Sequence, residues 1–120
     1  MGWKAINDGT IDFCVIEHAP HAKKDIEPAL KNVWEAHTGA LAAQEFLPIM
    51  LNAVNEKKLT LEKLVEVTSE NSAKLFGIYP KKGAIQVGSD ADLTIIDMNK
   101  EDVLSNAKVI SKAGYPHQML

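Results

Sequence analysis

The chain has 120 residues, 46% of them hydrophobic and 24% charged, with a formal net charge of -3. That balance excludes a disordered chain and suits one core of modest size. The acid excess argues against a nucleic-acid binder, which favours a basic face, and no apolar run approaches the ~20 residues of a membrane span.

Trp3-Lys4-Ala5-Ile6 has the texture of a helix tail, and Asn7-Asp8-Gly9 supplies the turn that ends it. Ile11-Asp12-Phe13-Cys14-Val15-Ile16 reads as a strand with Asp12 its only charge, hence buried on both faces as in a parallel sheet. A parallel strand needs parallel neighbours, and no second strand signal follows before Gly83. Cys14 is the single cysteine, so an internal disulfide is precluded and the thiol reads as a small half-strand hydrophobe. With no signal-peptide core at the N-terminus, the expectation is a reducing compartment, the cytoplasm.

Lys23 to Glu27 reads as loop, with Pro28 opening a short helix through Trp34, and Glu35 to Gly39 as loop again. Packing of that short helix is expected to occupy Trp34, rather than stacking with His37. Leu47, Met50, Leu51 and Val54 share one helix face, so a helix starts near Leu47 or kinks at Pro48, which lacks an amide proton. Thr60 caps a helix carrying Leu61, Leu64 and Val65, and Ser69 or Asn71 caps another that ends at a left-handed Gly77. Beyond Pro80-Lys81-Lys82 the period becomes two. Gly83 to Gly88 and Asp92 to Asp97 read as an antiparallel pair joined by Ser89-Asp90-Ala91, with Asp90 and Asp92 capping and solvating the turn, and Val103 to Ser111 as one more strand.

The chemistry-bearing stretch is Glu17-His18-Ala19-Pro20-His21, at the end of the first apolar strand. A carboxylate at the C-terminal end of a parallel strand sits where α/β barrels place catalytic groups, and it suits a metal ligand or a general base. Glu17, His18 and His21 alone would make a crowded metal site, since zinc takes four ligands or three plus water.

An apolar strand followed by an acid and His-Ala-Pro-His resembles the last catalytic strand of the dihydroorotase, hydantoinase and allantoinase group of the amidohydrolase superfamily. Leu61-Glu62-Lys63-Leu64-Val65 and Ser69-Glu70-Asn71-Ser72-Ala73-Lys74-Leu75-Phe76-Gly77 resemble that group's later helices. Lys82-Gly83-Ala84-Ile85-Gln86-Val87-Gly88-Ser89-Asp90-Ala91-Asp92-Leu93 resembles its turn into a small β domain.

The resemblance implies an α/β fold: the C-terminal part of a metal-dependent (β/α)8 TIM-barrel hydrolase, residues 1–80, with part of the accompanying small β-sandwich domain, residues 81–120. It implies a cyclic amide substrate, opened at a ring C–N bond as in dihydroorotase, a divalent metal (zinc, as a pair), and a homo-oligomer in the full-length protein. Glu17 takes the place of the group's aspartate, as metal ligand and proton shuttle; its extra methylene displaces the carboxylate by more than ~1 Å, which matters where reacting atoms align. His21 matches the histidine that binds a substrate carboxylate, His18 a position that supports the strand end, and Thr38 and Gly39 a loop whose backbone meets the cyclic amide.

The group's other equipment, a His-x-His pair, a carboxylated lysine and two further histidines, is not visible in the 120 residues. The chain is therefore expected to be a C-terminal fragment, inactive alone, with an exposed apolar strand edge that favours self-association. A different expectation is a non-catalytic relative or fragment with a structural or assembly role.

Overall fold

The computed structural model describes residues 2–35, 37, 39, 41–103 and 105–113. They form two compact units, one built from Met1–Val15 with Ile49–Asn99, the other from Ile16–Pro48 with Lys100–Leu120.

In the first unit, helix α1 spans Gly2–Asn7. The Asn7 side-chain amide donates to the carbonyls of Trp3 (2.9 Å) and Lys58 (2.8 Å), which ties the end of α1 to the connection after α3. Helix α3 spans Phe46–Asn55, of which Ile49 onward belongs to this unit; α2, Lys23–Ile26, belongs to the second unit. Pro48 therefore lies in the first turn, where an amide proton has no helical partner, and the helix neither kinks nor breaks. Its far end closes through Lys57 at φ 59°, with Lys58 N–H donating to Ala53 O at 2.9 Å.

Thr60 caps α4, Leu61–Val65, its hydroxyl accepting from Lys63 N–H at 3.1 Å. Neither Ser69 nor Asn71 begins a separate helix. A π-helical turn, Glu66–Glu70, carries α4 straight into α5, Asn71–Leu75. Gly77 then takes the left-handed exit at φ 68°. The apolar side of this block is the core of the unit: Ile6, Met50, Ala53, Leu59, Leu64, Val67 and Ala73 are all buried.

The strand readings are overturned among the described residues. Ile11–Ile16, Gly83–Gly88 and Asp92–Asp97 are irregular, and Val103–Ser111 holds a 3-10 turn at Asn106–Lys108, with a lone bridge position at His18 the only trace of sheet pairing. The period-two pattern is present, but its apolar side chains have nothing to cover them, with Ile85 at 90% and Ile95 at 98% exposure. A strand satisfies none of its own backbone groups until a neighbour arrives, and these residues supply none. The Ile11–Ile16 segment finds other partners: Cys14 N–H donates to Val67 O at 2.7 Å, and the Asn71 amide donates to Asp12 O at 2.6 Å. Burial pushes the Cys14 thiol above its ordinary pKa, in keeping with an unreactive packed cysteine.

The turn expected between strands is instead wrapped around Lys82. Its ammonium pairs with Asp90 at 2.9 Å and also with Asp92, while Ser89 Oγ donates to Pro80 O at 2.6 Å. The two acids hold a lysine, and the group remains solvated, as expected of this turn.

In the second unit, Lys23 to Glu27 is not loop. Helix α2 spans Lys23–Ile26 and passes into a 3-10 turn, Glu27–Leu30, with a second 3-10 turn at Val33–Glu35. Pro28 sits at the start of the first 3-10 turn, not at the start of an α-helix. Trp34 is not packed; its side chain is exposed. No helix among the described residues is long and apolar enough to cross a membrane.

Candidate functional site

Residues 17–21 lie alongside His37, Gly39 and residues 41–43 within the second unit, in opposite order along the chain. The rings of His21 and His37 meet at 5.1 Å between centroids, tilted by 40°. Gly39 is backed against Ala19: a Cβ built on Gly39 would stand 2.3 Å from Ala19 Cβ and 2.9 Å from its carbonyl oxygen. At φ 143° the Gly39 backbone is one that a side chain disfavours in any case. His18 completes the series, its Nδ1 accepting from the backbone N–H groups of Ala42 at 3.3 Å and Ala43 at 3.2 Å.

Three contacts in register therefore clasp the acid-histidine segment to the loop that follows. Neutral imidazole has one donor and one acceptor nitrogen. With Nδ1 occupied as acceptor of two backbone N–H groups, that nitrogen has no free lone pair to offer a metal.

Glu17 is exposed beside this clasp. Of the residues singled out in the sequence, Glu17, His21 and Gly39 are brought onto the two clasped segments, and Thr38 lies outside the described residues. Among the described residues no group of three His, Cys, Asp or Glu side chains gathers closely enough to hold a metal ion. The donor set thus does not fit a complete metal site; Glu17 is a single candidate ligand.

Sequence reasoning missed the polar pair Gln44-Glu45, whose signal was its position just ahead of the apolar helix face. The Gln44 side chain bonds both ways with the backbone of a distant segment, donating to Lys108 O at 2.7 Å and accepting from Ile110 N–H at 3.0 Å. Glu45 is buried to 5% exposure. A groove of about 380 Å3 opens here, bordered by His18, Leu41, Gln44, Glu45 and Ile110.

An exposed carboxylate at Glu17 beside a clasped histidine segment and a glycine-backed loop is what the second unit brings together, and the comparisons with known proteins name the family. The chain belongs to the amidohydrolase family, whose pattern matches residues 3–118. It is 52% identical over 98 residues to an L-hydantoinase of Paenarthrobacter aurescens, an alignment covering 81% of this chain and 21% of that protein. A dihydroorotase of Methanosphaera stadtmanae is 41% identical over 109 residues, covering 91% of this chain and 24% of the relative. Among solved structures, the L-hydantoinase (dihydropyrimidinase) from Arthrobacter aurescens superposes with a TM-score of 0.71 at 52% identity, over 74% of this chain and 20% of that one. The chain spans between a fifth and a quarter of the length of these curated relatives.

Proposed function

We propose that these residues form the C-terminal portion of a metal-dependent hydrolase that opens a cyclic amide, of the hydantoin, dihydropyrimidine or dihydroorotate type, at a ring C–N bond. The observation that carries this reading is the conjunction of high identity to a hydantoinase with an exposed carboxylate, Glu17, held beside a clasped His-Ala-Pro-His segment. In the whole enzyme we assign the remainder of a (β/α)8 barrel, the other ligands and the sheet neighbours to polypeptide beyond the described residues. Residues 1–80 would then complete the barrel and residues 81–120 contribute to a small β domain. A homo-oligomeric, cytoplasmic enzyme fits the same reading.

The metal of the family, zinc in our reading, supplies Lewis-acid chemistry when bound; the described residues do not hold it by themselves. What this chain offers is proton handling and substrate placement. The Glu17 carboxylate accepts a proton from the attacking water and returns it to the leaving ring nitrogen, the ordinary work of a general acid-base group. His21, braced by the ring of His37, faces the acidic or imide edge of the ring, and the backbone at Thr38 and Gly39 borders the amide.

The test is a ring-opening assay of the full-length protein containing this segment, against hydantoins, dihydropyrimidines and dihydroorotate, with metal content measured alongside. Glu17→Ala should lower turnover by about 10²- to 10⁴-fold; undiminished turnover overturns the proton-transfer role.

The scattered donor set favours a second reading, in which the segment is a non-catalytic relative retained for assembly. Absence of bound metal and of turnover in the full-length protein would select it.

A further inference from the structure

We propose that His18 is a positioning residue that fastens the acid-histidine segment to the loop at Ala42-Ala43 through Nδ1, acting neither as a metal ligand nor as a proton carrier. The proposal rests on the hydrolase reading for its consequence in turnover, and on geometry alone for the clasp itself.

The geometry has three parts. Two successive backbone amides, at 3.3 and 3.2 Å, converge on one ring nitrogen. Such amides stand just ahead of α3, where the first N–H groups of a helix lack helical partners, so a side-chain acceptor relieves them as a cap does. Here the acceptor comes from 24 and 25 residues away along the chain. It therefore fixes a tertiary relation, the one between the segment carrying Glu17 and the loop carrying Gly39. Finally, the Gly39–Ala19 approach leaves no room for the loops to slide: a Cβ there would overlap Ala19. Gly39 sets the spacing of the two segments and His18 sets their register.

The part that bonds is a single acceptor nitrogen close to the backbone. An asparagine carbonyl oxygen occupies the place of Nδ1, whereas the longer glutamine side chain carries its oxygen out toward the place of Nε2. That difference separates this assignment from any role played by Nε2, including metal ligation.

The experiment uses the full-length protein. Nitrogen-15 NMR of the imidazoles reports the tautomer, and amide hydrogen exchange at Ala42 and Ala43 reports the clasp, both without substrate. His18 is expected as the Nε2–H tautomer at neutral pH. His18→Asn should keep the two amides protected and hold kcat/KM within about threefold of wild type. His18→Ala and His18→Gln should lose the protection and lower kcat/KM by about 10- to 100-fold with bound metal unchanged, the cost of misplacing catalytic groups by around 1 Å. An Nδ1–H tautomer, loss of metal in His18→Ala, or a glutamine variant that outperforms the asparagine one would overturn the assignment. If the protein opens no cyclic amide yet the tautomer and exchange results hold, the functional reading fails and the clasp stands.

Discussion

Two stretches of the first unit carry similar apolar content and meet opposite fates. Leu61–Leu75 forms α4, the π-helical turn and α5, and it buries Leu64, Val67 and Ala73. Gly83 to Asp97 contains Ile85, Val87, Leu93, Ile95 and Ile96, yet leaves each of them exposed. The difference is in who satisfies the backbone. A helix closes its own hydrogen bonds and then needs only one covered face. A strand closes none of its own and must borrow both its bonds and its cover.

The largest expected effects separate these two cases. Leu64→Ala should cost about 2–5 kcal/mol in urea unfolding of the 120-residue chain, since it empties a buried site. Ile95→Ala in the same chain should change stability by less than ~0.5 kcal/mol, as an exposed substitution does. In the full-length protein the same Ile95→Ala is expected to cost about 2 kcal/mol or more, once sheet neighbours cover it. An equal cost in both contexts would break the comparison, because it would mean that Ile95 is already packed.

A smaller effect is expected at the clasp of the second unit, where segments are held by close approach instead of by a ladder. Gly39→Ala should destabilise by about 1–3 kcal/mol through overlap with Ala19. Calorimetry of the variant checks it, and an unchanged melting temperature would show that the segments are free to part.

The smallest effect is electrostatic and belongs to the helical stretches. The hydrogen bond from Lys63 holds the Glu66 carboxyl below its ordinary pKa, as Lys4 does for Asp8 and Lys58 for Glu56. Since these folded-state values are depressed, the contribution is fully present at neutral pH and is lost as pH falls through them. The melting temperature should decline slightly below the ordinary carboxylate range, and high salt should shrink the decline because all three groups are exposed.

What the amino-acid pattern conveys follows the same division. Helix α3 was legible from Leu47, Met50 and Val54, and the cap of α4 from Thr60, because those signals are local. The continuity of α4 into α5 was not: Ser69 and Asn71 are good caps by type, but the π-helical turn absorbs Ser69, and Asn71 spends its amide on Asp12. The strand pattern was correctly seen as period two, yet pattern cannot provide a neighbour. At the site, the chemical types were visible in Glu17-His18-Ala19-Pro20-His21. The pairing of His18 with Ala42 and Ala43 was not, since it depends on residues 24 and 25 positions away whose own side chains carry no signal.

The π-helical turn at Glu66–Glu70 has a further consequence. A wide turn of this kind holds one residue more than an α-turn would, and that extra residue sets the phase of everything after it. Insert one residue into the regular turns of α4, and the π-helical turn and α5 after it rotate by about 100°. Asn71 would swing away from Asp12, and the helix would no longer present Val67 O to Cys14. The irregular apolar segment would lose its anchorage without any change to its own composition. A length change in a helix, far along the chain, is thus enough to untie residues 12–14.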